Sequence, residues 1–275
     1  MKSIYKSMEN NLALIPNGVR VKLLLRHSIR WGVEGVPINY KGEAIKIEAG
    51  HNWGLTREGK IMAEAFGRGL REHFSLTRLA SSESHRCKES IEHIQKGYGS
   101  SIETSAHKIL TAMWIADSKT WHKSYEAHNR DMKAILQKML DREQIEGVYP
   151  VEKSVALLLE YMGLCGEAEK IDSKNCQKFD KEKSRQVIES TIHNKKDSKN
   201  ELDIFVSHDA FIMLLLCFVL RKRLSEIEWV YMLEGVFLWN ENNILCLAWR
   251  GEKFEISNLA LQNLARQNLG VEERI

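Results

Sequence analysis

The residues able to do chemistry fall in three short groups. Arg26-His27-Ser28-Ile29-Arg30 sets a histidine between two arginines, Ser82 precedes Arg86 by one helical turn, and Ser207-His208-Asp209 puts an imidazole beside a carboxyl. Paired guanidinium groups form a fork that fits a phosphate. An imidazole inside such a fork can act as a base or a nucleophile, and a carboxyl beside it can carry a leaving group's proton. If one edge of the fold collects all three groups, the result is an anion pocket with a nucleophile and a proton donor.

Each group ends a segment able to deliver it. Val19 to Leu25 is apolar apart from Arg20 and Lys22 and reads as a strand of a parallel sheet, buried on both faces for most of its length. His27 then sits at or just past the strand's C-terminal edge, where open α/β sheets bind ligands. Thr77 to Ser81 reads as a second strand. Ser82 can cap a following helix with an apolar stripe of Cys87, Ile91, Ile94 and Tyr98, stopped by Gly97 and Gly99. Leu202 to Val206 is a third strand, followed by a buried helix over Phe211 to Leu220.

The remaining segments frame these three. Thr56 reads as an N-cap, and Met62, Phe66, Leu70 and Phe74 recur at spacing four on one helical face. Val230 to Trp239 and Ile244 to Trp249 read as two strands joined through Asn240-Glu241-Asn242-Asn243. Leu259 to Leu269 reads as a closing helix, and residues 31–54 and Lys170 to Asn200 read as loops. Residues 101–200 are rich in Lys, Glu and Asp, with a helical stripe at Met132, Ile135, Leu136 and Met139 and poor strand signals. The expected architecture is a single domain over 1–275, a three-layer α/β/α sandwich with a mostly parallel sheet. Its core spans about 19–100 and 201–275, and its helical insertion about 101–200.

Composition narrows the partners. Hydrophobic residues make up 43% and charged residues 28%, as in an ordinary globular chain, and 3 prolines with 17 glycines argue against low complexity. A net charge of +3 is too small to imply nucleic acid. Five scattered cysteines form no CxxC pair, which fits a reducing compartment. The first residues lack the apolar core of a signal peptide, and Phe211 to Leu220 is too short to span a bilayer. The expectation is a cytoplasmic protein with no membrane partner. His122 and His128 have no third ligand nearby in sequence, so Trp121 to Arg130 reads as an ordinary helix rather than a metal site.

Arg26-His27-Ser28-Ile29-Arg30 resembles the RHGxR signature of the histidine phosphatase superfamily, in its acid-phosphatase branch. Leu55-Thr56-Arg57-Glu58-Gly59 with Ala63 is similar to that family's LTxxGxxxA segment. Ser82 to Arg86 with Cys87 and Ser90 is similar to its SxxxR(C/A)xx(S/T) segment, and Ser207-His208-Asp209 resembles its late SHD motif. The four segments occur in the family's order. The resemblance implies a phosphoglycerate mutase-like fold and a phosphatase that needs no metal or other cofactor and acts on a small phosphorylated substrate. It implies His27 as the nucleophile that becomes a phosphohistidine. Arg26, Arg30 and Arg86 would hold the phosphoryl oxygens with His208 as a fourth donor, and Asp209 would be the general acid.

The chain departs from the pattern at Ser28, where the family has glycine, and after Arg30, where Trp31 and Gly32 replace a common proline. The second departure leaves the substrate subclass open. The first motivates a different reading, a non-catalytic phospho-ligand binding protein with a pocket altered by Ser28. A phosphomutase is a third. Glu83 and Glu126 stand as alternative proton donors to Asp209, because another branch of the superfamily draws its acid from elsewhere.

Overall fold

The computed structural model describes residues 4–31, 54–164, 199–242 and 244–257. Most of the expected 31–54 loop, most of the Lys170 to Asn200 loop and the whole Leu259 to Leu269 helix lie outside these residues. The chain opens with α1 (Lys6–Leu12) and β1 (Arg20–Arg26), continues with α2 (Arg57–His73), β2 (Phe74–Ser81) and α3 (His85–Tyr98), and then enters β3 (Thr104–Ala106). Four helices follow: α4 (Ile109–Ala112), α5 (Ser118–Ala127), α6 (Met132–Leu140) and α7 (Val151–Tyr161). The last part holds β4 (Asn200–Ser207), α8 (Asp209–Leu220), a 3-10 turn at Leu224–Glu226, and β5 (Gly235–Glu241), β6 (Ile244–Trp249) and β7 (Glu252–Ser257).

The described strands form one sheet in the order β3-β2-β4-β1-β5-β6-β7. β3, β2, β4 and β1 run parallel, while β5, β6 and β7 add to β1 as an antiparallel edge. The sheet is therefore mixed, and His27, Ser82 and His208 follow strands of its parallel half. β3 arises from the stretch expected to be helical. It is three exposed residues long, so it has no buried face to leave a period-two pattern in the sequence.

Side-chain alternation along the strands builds two apolar layers. Val21, Leu23 and Leu25 of β1 and Leu202, Ile204 and Val206 of β4 pack with Met62, Phe66 and Leu70 of α2 and Ile91 and Ile94 of α3. Leu24 of β1 and Phe205 of β4 pack on the other side with Leu136 and Met139 of α6, Leu158 and Leu159 of α7, and α8. This is a three-layer α/β/α arrangement, because both faces of the central strands are apolar and both must be covered. The interruptions at Lys22 and Asp203 answer each other: the two side chains form a buried ion pair, and Asp203 also accepts from Arg20 at 3.0 Å and from Thr77 Oγ1 at 2.7 Å. Among the described residues no helix is long and apolar enough to cross a membrane. α8 is apolar all round because it is enclosed all round, with Ala210 to Cys217 buried.

α2 and α3 approach backbone to backbone. A Cβ on Gly97 of α3 would run into the Glu64 carbonyl of α2, and one on Gly67 would run into the Ile94 carbonyl. Backbone cannot yield as a flexible side chain can. Gly97→Ala should therefore lower stability by about 1–3 kcal/mol despite alanine's better helix propensity. Urea unfolding measures this, and a midpoint at or above that of the parent protein would refute the close approach.

Candidate functional site

Strand register gathers the three groups. β1 and β4 pair with Arg26 opposite Ser207, and β2 and β4 pair with Ser81 opposite Val206. The alignment continues past the strand ends, where His27 N–H donates to the Ser207 carbonyl at 3.0 Å and Ser82 N–H to the Val206 carbonyl at 2.8 Å. His27, Ser82 and His208 thus leave one sheet edge side by side. Arg86 arrives from the first turn of α3. His208 is the N-cap of α8, and Asp209 is that helix's first residue.

One guanidinium ties both imidazoles. Arg86 Nε–H donates to His27 Nε2 at 3.1 Å, and Arg86 Nη2 donates to His208 Nδ1 at 3.0 Å. The two rings lie 5.5 Å apart at 71°. The partners dictate the tautomers. His27 Nδ1–H donates to the Ser28 carbonyl at 2.7 Å, so Nε2 carries the lone pair. His208 accepts at Nδ1 and so donates from Nε2, to Ser82 Oγ at 3.0 Å. Ser82 Oγ in turn accepts from Ser84 N–H at 3.1 Å. Ser84, not Ser82, is the N-cap residue of α3, and the Ser82 hydroxyl serves the His208 ring instead.

Both imidazoles are neutral. Burial, the neighbouring His208 and the Arg86 charge hold His27 well below the ordinary histidine range. Burial and Arg86 push His208 down to about 3. Arg30 adds to the positive field felt by Arg26, Arg86 and His208, and its Nη1 donates to the Trp31 carbonyl at 2.9 Å.

Asp209 balances that field. Arg26 Nη2 lies 2.7 Å from Asp209 Oδ2, Trp229 Nε1–H donates to the same oxygen at 3.0 Å, and Ala210 N–H donates to Oδ1 at 2.8 Å. Burial works against the carboxylate, but Arg26, Trp229 and Ala210 outweigh it and keep the carboxyl below its usual range. Arg26 Nη1 donates to the Val230 carbonyl at 2.7 Å, and its buried Nε has no partner among the described residues. Of the alternative acids, Glu126 is engaged by Arg130 at 2.8 Å on the exposed face of α5, and Glu83 is exposed beside Ser82. Among the described residues no group of three His, Cys, Asp or Glu side chains is placed to hold a metal ion.

Ser28 is fully buried, and its hydroxyl donates to the Gly59 carbonyl at 2.7 Å. Its N–H donates to Ser90 Oγ at 2.9 Å, and Ser90 donates on to the Arg86 carbonyl at 2.7 Å. The hydroxyl that departs from the motif thus fastens the His27 loop to the start of α2. α2 comes that close because residue 59 lacks a side chain: a Cβ there would strike the Ile29 carbonyl. Nothing in the sequence marks Trp229 as part of the site, and Glu234 falls inside the segment expected as a strand from Val230 to Trp239, which begins only at Gly235. Trp229 sits in an irregular segment with no periodicity. Glu234 is a buried carboxylate paired with Arg250 at 2.8 Å, and an isolated glutamate before a strand carries no signal of burial.

No family model matches the chain, and no curated protein matches it. Solved structures do overlap it. Bacillus stearothermophilus YhfR superposes over 87% of this chain and 99% of its own, at 14% identity and a TM-score of 0.45. A phosphoglycerate mutase from Bacillus anthracis covers 94% of this chain and 98% of its own, at 12% identity and a TM-score of 0.42. A phosphoserine phosphatase from Entamoeba histolytica covers 86% of this chain and 95% of its own, at 14% identity and a TM-score of 0.41. The overlaps include both a mutase and a phosphatase and are too distant to carry an argument about activity, which must come from the site itself.

Two buried neutral histidines make stability depend on pH. In the unfolded chain they titrate near the ordinary 6.5, while His208 in the fold takes its proton only near 3. Across that window the unfolded state binds more protons, so stability falls as pH drops below about 6.5. In His208→Gln the thermal midpoint should fall less steeply between pH 6.5 and 4. Parallel curves for variant and parent would show that His208 is not held neutral.

Proposed function

We propose that this chain is a metal-independent phosphatase that hydrolyses a small phosphomonoester through a phosphohistidine on His27, as a member of the histidine phosphatase superfamily. The observation that carries the reading is the state of His27. It is a neutral imidazole with Nδ1–H tied to the Ser28 carbonyl and the Nε2 lone pair aimed into a cluster of guanidinium groups. As the phosphoryl oxygens draw the Arg86 N–H off Nε2, that lone pair attacks phosphorus, and the bond from phosphorus to the ester oxygen breaks. Arg26, Arg30 and Arg86 hold the phosphoryl oxygens, with His208 as an uncharged donor once its partners exchange. The spare buried Nε of Arg26 supports this role, since an anion is the natural partner for an unsatisfied guanidinium donor.

Asp209 supplies the proton to the leaving alkoxide. Paired with Asp209, Arg26 keeps this carboxyl ionised. A phosphoryl dianion competes for Arg26, and as that pairing loosens the carboxyl's proton affinity rises, so that it takes up a proton from solvent before passing it to the leaving oxygen. Water then attacks the phosphohistidine, Asp209 takes its proton, and the N–P bond breaks to release phosphate and restore His27. The hydrogen bond from Ser28 to Gly59 supports an active pocket over a purely binding one, because the extra hydroxyl is consumed outside the phosphate cluster.

The protein should hydrolyse 4-nitrophenyl phosphate, with inhibition by vanadate and no loss on treatment with chelator. His27→Ala should lower kcat by more than about 10³-fold, and Arg86→Ala by roughly 10²–10³-fold. Acid-labile, alkali-stable phosphate should be trapped on His27 during turnover. Full activity in His27→Ala would refute the nucleophile. Tight phosphate binding without turnover would favour a binding protein, and phosphoryl transfer between two positions of one substrate would favour a mutase.

A further inference from the structure

The segment between the 3-10 turn and β5 reaches the site through Trp229 and Val230. Besides the bonds from Trp229 to Asp209 and from Arg26 to Val230, it pairs with Arg26 along the backbone. Leu233 N–H donates to the Arg26 carbonyl at 3.2 Å, and Arg26 N–H donates to the Glu234 carbonyl at 3.0 Å. The segment is fastened from behind. The buried Glu234 carboxylate accepts from Arg250 at 2.8 and 3.0 Å, from Ser7 Oγ at 3.0 Å and from Tyr231 N–H at 2.9 Å. Arg250 reaches on to the Glu228 carboxylate at 2.7 Å and the Trp229 carbonyl at 3.3 Å. Leu233 (φ 57°) and Arg250 (φ 48°) both adopt the left-handed region. Non-glycine residues persist there, at a cost of roughly 1–3 kcal/mol, only where the surroundings impose it.

This bracing serves the contact to Asp209. Two donors meet on Oδ2, the Arg26 guanidinium and the Trp229 indole. They differ in one property that matters. Arg26 is charged and is drawn to a phosphoryl anion, whereas an indole N–H is an uncharged donor with no acceptor atom. When substrate engages Arg26, Trp229 has no comparable reason to leave. We propose that Trp229 is a positioning residue for the Asp209 carboxyl, holding Oδ2 in place while Arg26 is engaged by the phosphoryl group. The inference rests on the phosphatase reading above and adds to it a residue that neither touches phosphorus nor carries charge. The charged and titratable groups facing Asp209 are Arg26 from β1, Arg86 from α3 and His208 beside it, with Arg30 acting on Arg26 and Arg86 in turn. Lys133 of α6 lies over the Trp229 ring at 4.9 Å.

Trp229→Phe keeps an aromatic ring and removes the N–H, and Trp229→Gln restores a donor without the ring. Loss of one hydrogen bond to the carboxylate should raise the Asp209 pKa by about one unit. The Phe variant should therefore show the falling limb of kcat/KM against pH displaced upward by about that amount. Its kcat should drop more for an alkyl phosphate, whose leaving group needs the proton, than for 4-nitrophenyl phosphate. The Gln variant should move back toward the parent on both measures, and in an Asp209→Asn background the Phe substitution should produce no displacement. An unmoved profile, equal losses on the two substrates, or Gln and Phe behaving alike would overturn the proposal. Titration of the Asp209 carboxyl by ¹³C NMR in parent and Phe variant reads the same contact without turnover. If no phosphate ester is hydrolysed by the parent, the phosphatase reading fails by itself. The NMR shift still decides whether Trp229 holds the carboxyl: a displaced titration supports the contact, and superimposed curves reject it.

Discussion

The pairing of β1 with β4 is the constraint on which the site depends. Arg26 stands opposite Ser207, and the backbone bond from His27 to Ser207 carries the register one residue past the strands. A slip of one residue would exchange the faces of Val21, Leu23 and Leu25 with Leu24 and turn His27 away from His208. Both faces of β1 are covered by apolar helices, so a slipped register would bury Lys22 without Asp203. The ion pair in the middle of the sheet and the histidine pair at its edge are therefore locked by one alignment.

Charge management follows from that alignment. Bringing three arginines to one strand edge costs mutual repulsion and desolvation, and the site offsets this in two ways. Both imidazoles stay neutral, and one carboxylate, Asp209, sits against Arg26. In the proposed reaction an incoming phosphoryl group supplies the negative charge that Asp209 otherwise provides, so ground-state pairing and catalytic protonation are linked through the same guanidinium. Trp229 stands outside that exchange because it has no charge to trade. The segment that carries it is held by the pair of Glu234 and Arg250, which would be costly to break because Glu234 without Arg250 would be a buried carboxylate lacking a counter-charge.

The elements that were legible are those whose pattern is local. β1, β4 and α8 are apolar runs, and α2 and α3 show a one-sided stripe after a polar start. The Thr56 cap is seen as expected, with Gly59 N–H donating to Thr56 Oγ1 at 3.0 Å. Other features were illegible for physical reasons. β3 is short and exposed, so no alternation marks it. The antiparallel edge gains β7, whose charged Glu252, Lys253 and Glu255 resemble a loop in composition although they pair with β6. Ser82 has the form of a helix cap, yet its hydroxyl is claimed by His208, the N-cap of a helix distant in sequence.

By itself the sequence determined which chemical groups this protein commits to strand ends: His27 between Arg26 and Arg30, Arg86 one helical turn beyond Ser82, and His208 beside Asp209. Residue type and spacing along one chain suffice for that, because each group follows its own hydrophobic run. Tertiary structure decided how the groups act on one another. It placed Arg86 between the two imidazoles, set their tautomers through Ser28 and Ser82, paired Arg26 with Asp209, and brought in Trp229 from a segment with no motif. Proton positions and ionisation depend on burial and on partners separated by up to hundreds of residues, and those exist only once the strands have paired.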